Sequence, residues 1–161
     1  AYMDILISAA RWLAFLPSAF SAYVVTTWLV FNGVSYGAPE AATAVRYAAD
    51  FAGYFLLGPA IVFMWFSVAT AMAVYAGIHV APSAKKVAAA ILGLIVVAFI
   101  GMAIAGIVIS PDQDLITWQM WARTLTEMIG MIAGLVAGIA LANEGGAFVD
   151  DRAETDPPFK V

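Results

Sequence analysis

Two ionisable residues, Arg123 and Glu127, lie inside an apolar stretch of the sequence and are the side chains there that could do chemistry. They are four residues apart, so on a helix they share a face and are close enough to form an ion pair. A charged group inside a membrane span is costly unless it is paired or hydrated, which makes the pair a functional candidate. Two interpretations stay open: a proton or ion relay or a salt bridge to a partner, and an interfacial pair that reaches water and fixes the depth of the helix.

The same stretch carries a small residue at every fourth position: Thr126, Gly130, Gly134, Gly138 and Ala142. This spacing places them along one face of a helix. Small side chains let helix backbones approach closely, and lipid supplies no hydrophobic drive for helix association. The row predicts a helix-packing face, which serves either another copy or partner subunit, or another helix of this chain. Weaker rows of the same kind occur at Ala69, Ala73 and Gly77, and at Ala89 and Gly93.

Other signals for catalysis or cofactor binding are sparse. The chain has no cysteine and one histidine, His79, whereas a b-type haem usually needs two axial side chains. No phosphate-binding loop, nucleophile elbow or His-Glu-x-x-His motif is present. We therefore predict no catalytic residue, no metal site and no cofactor, with bound lipid expected. The aromatic residues leave a pigment or a quinone open as an alternative.

Composition indicates the elements that must position these residues. Of 161 residues, 64% are hydrophobic and 11% are charged, and the mean hydropathy is +0.94. Soluble domains are about 45–50% apolar, and a chain of this size could not bury so large an excess. A lipid bilayer is thus the expected partner. The net charge of −4 and the lack of a basic patch argue against nucleic acid.

The apolar residues form four runs long enough to cross the hydrocarbon core, which takes about 20 helical residues. We predict an all-α fold, a polytopic membrane protein with four transmembrane helices packed as a bundle over residues 1–142. An acidic, solvated tail is expected over residues 143–161. The predicted spans are residues 12–34, 51–78, 87–109 and 120–141.

Prolines and aromatic residues add local detail. Pro17 is expected within the first two turns of the first span, where a missing N–H matters little. Gly58 and Pro59 predict a kink inside the second span. The sequence Ser-Pro-Asp at residues 110–112 predicts a helix start, and hence a short interfacial helix over residues 111–119. The predicted interfacial anchors are Trp118, Trp121, Lys85 and Lys86.

The distribution of basic residues predicts the orientation. Five of the seven lie on the side that holds both termini and the second loop, which favours both ends in the cytoplasm. We expect the prokaryotic plasma (inner) membrane as the location. The five are Arg11, Lys85, Lys86, Arg152 and Lys160, against Arg46 and Arg123 on the other side.

These features predict a non-enzymatic small membrane protein. Its expected role is that of an accessory or structural subunit of a larger membrane complex, or of a homo-oligomer assembled through small-residue helix faces. The alternative is a small ion, proton or solute channel or transporter that uses Glu127 and Arg123. Four hydroxyl residues could line its polar path: Thr26, Thr27, Ser67 and Thr70.

Overall fold

The computed structural model describes residues 2–37, 57–81, 84–109 and 118–148. Within these ranges the chain forms four α-helices and no strand. Each helix is long and apolar enough to cross a membrane. The helix is the expected state, since it satisfies every backbone amide within the segment where lipid offers no hydrogen bonds. The helices are α1 (Tyr2–Gly37), α2 (Leu57–Val80), α3 (Lys85–Val108) and α4 (Trp118–Glu144).

Helix α1 differs from the predicted first span. It contains 36 residues and includes Tyr2, so Pro17 lies in its interior, and the prediction that Pro17 occupies the first two turns is wrong. An interior proline removes one backbone hydrogen bond, which a transmembrane helix tolerates when neighbouring groups compensate. The helix is roughly 54 Å long, against about 30 Å for the hydrocarbon core. Helix α1 must therefore tilt or extend beyond the membrane.

Parts of three predictions lie outside the described residues. Pro59 is the third described residue of α2. Residues 51–56 are not described, so the kink at Gly58 and Pro59 stays a prediction. Most of the predicted interfacial helix is likewise outside, and Trp118 already belongs to α4. The tail beyond residue 148 is also outside the described residues.

Helix α2 is the centre of the bundle. It packs extensively against α4 and α1, whereas α3 makes smaller contacts with α2 and α4. Three helices meet at Gly77 of α2, where an added Cβ would lie 2.8 Å from Leu92 Cδ1 of α3 and 3.3 Å from Phe15 Cε2 of α1. The main apolar core surrounds this point. Its buried members are Phe15, Ala19, Val74, Ile78, Ala81, Ala88, Leu92, Ala142 and Ala147.

One end of the bundle, here called the capped end, is closed by polar contacts. Arg11 of α1 donates from Nε to Val80 O at 3.2 Å and from Nη2 to His79 O at 3.4 Å. A cation suits this position because the last carbonyls of a helix lack partners and carry negative partial charge. Helix α3 begins here at Lys85, and α4 ends here, with Gly145 beside His79. The amino-terminal half of α1 and the carboxyl end of α4 thus share one end of the bundle.

The chain folds back after α4 instead of entering solvent. Gly146 has a φ of 76°, its N–H donates to Asn143 O, and the N–H of Ala147 donates to Ala142 O, both at 3.0 Å. This pair of bonds around a left-handed glycine is the Schellman motif. Ala147 is 3% exposed, and Phe148 packs against the core. The predicted solvated tail therefore does not include Ala147 and Phe148, whereas Asn143, Glu144 and Gly145 are exposed.

Candidate functional site

The ion pair predicted on α4 is formed. Arg123 Nε donates to Glu127 Oε1 at 2.9 Å. The side chains are 31% and 19% exposed, so both are largely covered by the protein. The i, i+4 spacing on a continuous helix accounts for the contact without any change of backbone.

The two charges lie at different depths. Glu127 is seventeen residues before Glu144, which ends α4 at the capped end. That separation is about 25 Å along the helix axis, against a hydrocarbon core of about 30 Å. Arg123 is one turn closer to the opposite end of the bundle. In a bilayer whose hydrocarbon core began at Glu144, the carboxylate of Glu127 would therefore lie within the apolar layer and the guanidinium of Arg123 near its far edge.

Helix α1 brings two hydroxyl groups to this pair. Tyr23 interacts with the side chains of both Thr27 and Glu127. Thr27 Oγ1 is buried and has no hydrogen-bond partner of acceptable geometry among the described residues. The residues Tyr23, Thr27, Arg123 and Glu127 are here called the polar cluster, and what links α1 with α4 in it is the electrostatic interaction between Tyr23 and Glu127.

The other hydroxyl residues of the predicted polar path do not join the polar cluster. Thr70 is 4% exposed and lies in the contact between α2 and α4, with its Cβ against Gly134. The carbonyl of Ser67 faces the same glycine. The sequence did not mark Tyr23 as a candidate site residue, because a tyrosine in an apolar span resembles an aromatic residue that only packs. Its spacing of four from Thr27 was the available signal.

The row of glycines on α4 packs against α2 of the same chain. The glycines face backbone carbonyls and Cβ atoms of α2 at every fourth residue, so any side chain would force the two helices apart. An added Cβ would lie 2.9 Å from Phe63 O at Gly130, 2.8 Å from Thr70 Cβ at Gly134 and 2.7 Å from Ala71 O at Gly138.

The two ends of the row behave differently from its glycines. Thr126 donates its hydroxyl to Ala122 O of its own helix at 2.8 Å, which removes its hydrogen-bonding group from the packing face. Ala142 is fully buried in the main core. Of the two interpretations, packing within the chain is the one that the structure displays. Assembly of a homo-oligomer through this face stays a prediction, and it would require α2 to leave the face that it occupies.

Helix α3 follows the bundle for only part of its length. Leu92 is 5% exposed, whereas Phe99 is 57% exposed and an added Cβ on Gly106 would have no neighbour within 4 Å among the described residues. These two residues are seven and fourteen positions after Leu92, within about 20° and 40° of it around the helix. The face that is buried near the capped end is thus open further along. The open face of α3 is defined here by the exposed Phe99 and Gly106, with the half-buried Ala103 between them.

The predicted interfacial anchors lie at opposite ends of the bundle. Trp118 and Trp121 are 62% and 38% exposed at the start of α4. Lys85 and Lys86 begin α3 at the capped end, and Lys86 is exposed. The separation suits two membrane interfaces, and the anchoring role itself stays a prediction.

His79 is engaged at the end of its own helix. Its Nδ1 donates to Tyr75 O at 3.0 Å, since a carbonyl can only accept, and the two rings lie 4.2 Å apart. Gly145 lies beside Nε2. Over the described ranges, no group of three or more His, Cys, Asp or Glu residues could hold a metal ion.

Comparison of the chain with protein-family models, curated proteins and solved structures finds no match. Two features of the described residues therefore bear on the function of the protein. One is the open face of α3, and the other is the polar cluster between α1 and α4.

Proposed function

We propose that the chain is a non-catalytic subunit of a membrane complex, and that the open face of α3 binds a transmembrane helix of the partner. The observation that carries this proposal is the change along one side of α3. That side is covered by the bundle at Leu92 and uncovered at Phe99 and Gly106. A helix that leaves its own bundle presents there the type of surface that packs against another helix.

The residues of the open face favour a helix over lipid chains as the occupant. Ala103 and Gly106 have small side chains, so another helix backbone can approach α3 closely and gain dispersion contacts. Phe99 supplies a large side chain one turn away. Exposure alone would be no argument, because acyl chains are as apolar as these residues. The combination of small residues and departure from the bundle supports a protein partner.

The glycine row on α4 does not offer the same opportunity. Its glycines are already in contact with α2, and an added methyl group at Gly138 would overlap Ala71 O. A partner that used this row would have to displace α2 from the centre of the bundle. The proposal therefore assigns internal packing to α4 and partner binding to α3.

Site-specific photo-crosslinking tests the proposal directly. The chain has no cysteine, so a photoreactive probe can be attached to a single introduced one. A probe at Phe99→Cys should give one defined protein adduct in native membranes, at a fixed ratio to the chain. A probe at Val97→Cys is the control, since Val97 is 62% exposed and about 160° away from Phe99 around α3, and it should label lipid.

A matched pair of glycine variants shows whether the adduct depends on the open face. Gly106→Leu should reduce the adduct at least about tenfold, because overpacking a helix contact costs 1–3 kcal/mol. Gly101→Leu should leave it unchanged. Gly101 has the same open surroundings and lies about 180° from Leu92, on the opposite side of α3. Lipid adducts alone at Phe99 would refute the proposal.

We further propose that the capped end faces the cytoplasm of a prokaryotic cell. Its cations, Arg11, Lys85 and Lys86, support this under the positive-inside rule. A membrane-impermeant thiol reagent should fail to label Lys86→Cys from outside intact cells and should label it after lysis. Labelling of Lys86→Cys in intact cells would reverse the orientation.

A further inference from the structure

The start of α3 presents two lysines at the capped end, Lys85 and Lys86, here called the lysine pair. Lys85 is half-buried and Lys86 is exposed. Among the described residues neither ammonium group has an ion-pair partner, although Glu144 lies at the same end of the bundle. Ala84, at the cap position, has no side chain that could accept from the first N–H groups of α3, whose partial positive charge adds to that of the lysines. This surface therefore suits a ligand with negative charge.

The fold-back after α4 leads the chain to the same end of the bundle. Ala147 is buried in one core with Ala81 of the connection between α2 and α3 and with Ala88 of α3. Phe148 packs against that core as well. The lysine pair belongs to the same helical turn as Ala88. The chain after Phe148 therefore starts where α3 begins.

The residues that follow, 149–161, are here called the acidic segment and have the complementary charge. They contain four acidic side chains, Asp150, Asp151, Glu154 and Asp156, against two basic ones. The first two carboxylates come soon after the fold-back, because even an extended chain places their Cα atoms at most about 7 and 11 Å from that of Phe148. A tether this short keeps the local concentration of carboxylates around the lysine pair high.

We propose that the acidic segment binds the lysine pair and forms an electrostatic latch across the capped end. Its carboxylates accept hydrogen bonds from the two ammonium groups. An exposed ion pair contributes little by itself, so the latch depends on the tether and on several pairs at once, and salt should open it. The latch joins the end of α4 to the start of α3, the part of α3 that the core also holds.

Anionic lipid headgroups are the other ligand that the charge of the lysine pair would suit. The path of the chain favours the acidic segment, because the fold-back brings it to the capped end in every molecule, whatever the lipid composition. The latch lies at the other end of α3 from Gly106, so it does not depend on the partner proposed for the open face.

A water-soluble carbodiimide tests the contact in the unmodified chain. This reagent joins an amine to a carboxyl group as an amide only where the two groups meet. In vesicles of uncharged lipid at low salt, peptide mapping of the monomer should find the lysine pair joined to Asp150 or Asp151. About 1 M salt, at which the Debye length is about 3 Å, should lower the yield at least about fivefold. Absence of this crosslink, or a yield that is independent of salt, would overturn the proposal.

Vesicles that contain anionic phosphatidylglycerol distinguish the acidic segment from lipid as the ligand. The crosslink should keep at least about half of its yield there, because the tether holds the carboxylates near the lysines. Loss of the crosslink in these vesicles would assign the lysine pair to lipid headgroups and would overturn the proposal.

A charge swap separates a broken latch from a damaged bundle. A spin label at Ala153→Cys should report an immobilised fraction that falls at least about threefold when Lys85→Glu and Lys86→Glu are introduced. Adding Asp150→Lys and Asp151→Lys to that variant recreates opposite charges and should restore the immobilised fraction. A bundle that had failed to fold could not be rescued in this way. An unchanged fraction in the first variant, or no rescue in the second, would contradict the latch.

Discussion

Helices α3 and α4 both carry small residues within apolar spans, but they use them differently. On α4, Gly134 is pressed against the backbone of α2, whereas Gly106 on α3 has nothing within 4 Å of an added Cβ. The difference teaches that a row of small residues predicts close helix packing without identifying the partner. The glycines of α4 pack against α2 of the same chain, whereas Gly106 of α3 packs against none of the described residues.

The connections of α3 give a physical reason for the contrast. Only four residues separate the end of α2 from the start of α3, so the two helices must lie side by side at the capped end. Beyond Val96 only α3's own side chains could hold it to the bundle, and Phe99 and Gly106 make little contact there. The short connection and the core therefore fix the first half of α3, whereas its second half makes little contact with the described residues, and we propose that the partner binds there.

The largest expected effect comes from a side chain added to each of the two glycines. Gly134→Val should lower the free energy of unfolding of the purified protein by about 3 kcal/mol or more, because the new atoms overlap Ser67 O and Thr70 Cβ. Gly106→Val should change it by less than about 0.5 kcal/mol. Denaturant unfolding in detergent measures both values. Equal losses at the two positions would show that α3 is packed as tightly as α4.

A smaller effect is expected at the junction that holds the first half of α3. Gly77→Ala places a methyl group 2.8 Å from Leu92 Cδ1, the flexible end of a side chain, and 3.3 Å from Ala19 Cβ. A loss of about 1–2 kcal/mol should follow, as is usual for moderate overpacking. The double variant Gly77→Ala with Leu92→Val should recover part of the loss. If the double variant is no more stable than Gly77→Ala, the strain does not arise at the contact between Gly77 and Leu92.

The fold-back after α4 gives an effect of about 1–2 kcal/mol. Gly146→Ala forces a non-glycine residue into a left-handed conformation at a φ of 76°, without any steric clash of the new methyl group. Gly145→Ala is the control, because its added Cβ makes only ordinary contacts, the nearest at 3.4 Å. Protease sensitivity of the chain after Phe148 should rise in the first variant alone. Equal sensitivity in both variants would argue against the Schellman turn.

The smallest expected effect concerns the cap of α2. Arg11→Met keeps most of the apolar stem and removes the two exposed hydrogen bonds to His79 O and Val80 O. Stability should fall by about 0.5–1 kcal/mol, the usual net value of such bonds. Because α1 and α2 are joined there by these bonds, hydrogen exchange at the last turn of α2 should quicken. Unchanged exchange would mean that water replaces the guanidinium without loss.

Part of this architecture could be predicted from the sequence, because each helix that crosses a bilayer needs a continuous run of apolar residues. Four apolar runs predicted four helices, and a spacing of four placed Arg123 beside Glu127 and put the α4 glycines on one face. The extent of α1 could not be predicted in this way, since hydropathy marks the apolar window and an interior Pro17 looks like a helix start. The fold-back after α4 was missed because Gly-Gly beside acidic residues resembles a linker.

The missing information concerns contacts between residues far apart in the chain. Nothing in the local pattern places Tyr23 of α1 within electrostatic range of Glu127 of α4. Nor does periodicity show where α3 leaves the bundle, because the residues before and after Val96 are equally apolar. In a membrane, buried and lipid-facing positions are both apolar, so hydropathy alone does not separate them.

Oxygen accessibility of spin labels along α3 tests the central claim most directly. Single cysteines at Leu92, Phe99 and Gly106 would carry the label in the purified chain, reconstituted in lipid vesicles. The account predicts low collision rates with dissolved oxygen at Leu92 and high, lipid-like rates at Phe99 and Gly106. Low rates at all three positions would show that α3 packs along its whole length and would contradict the account.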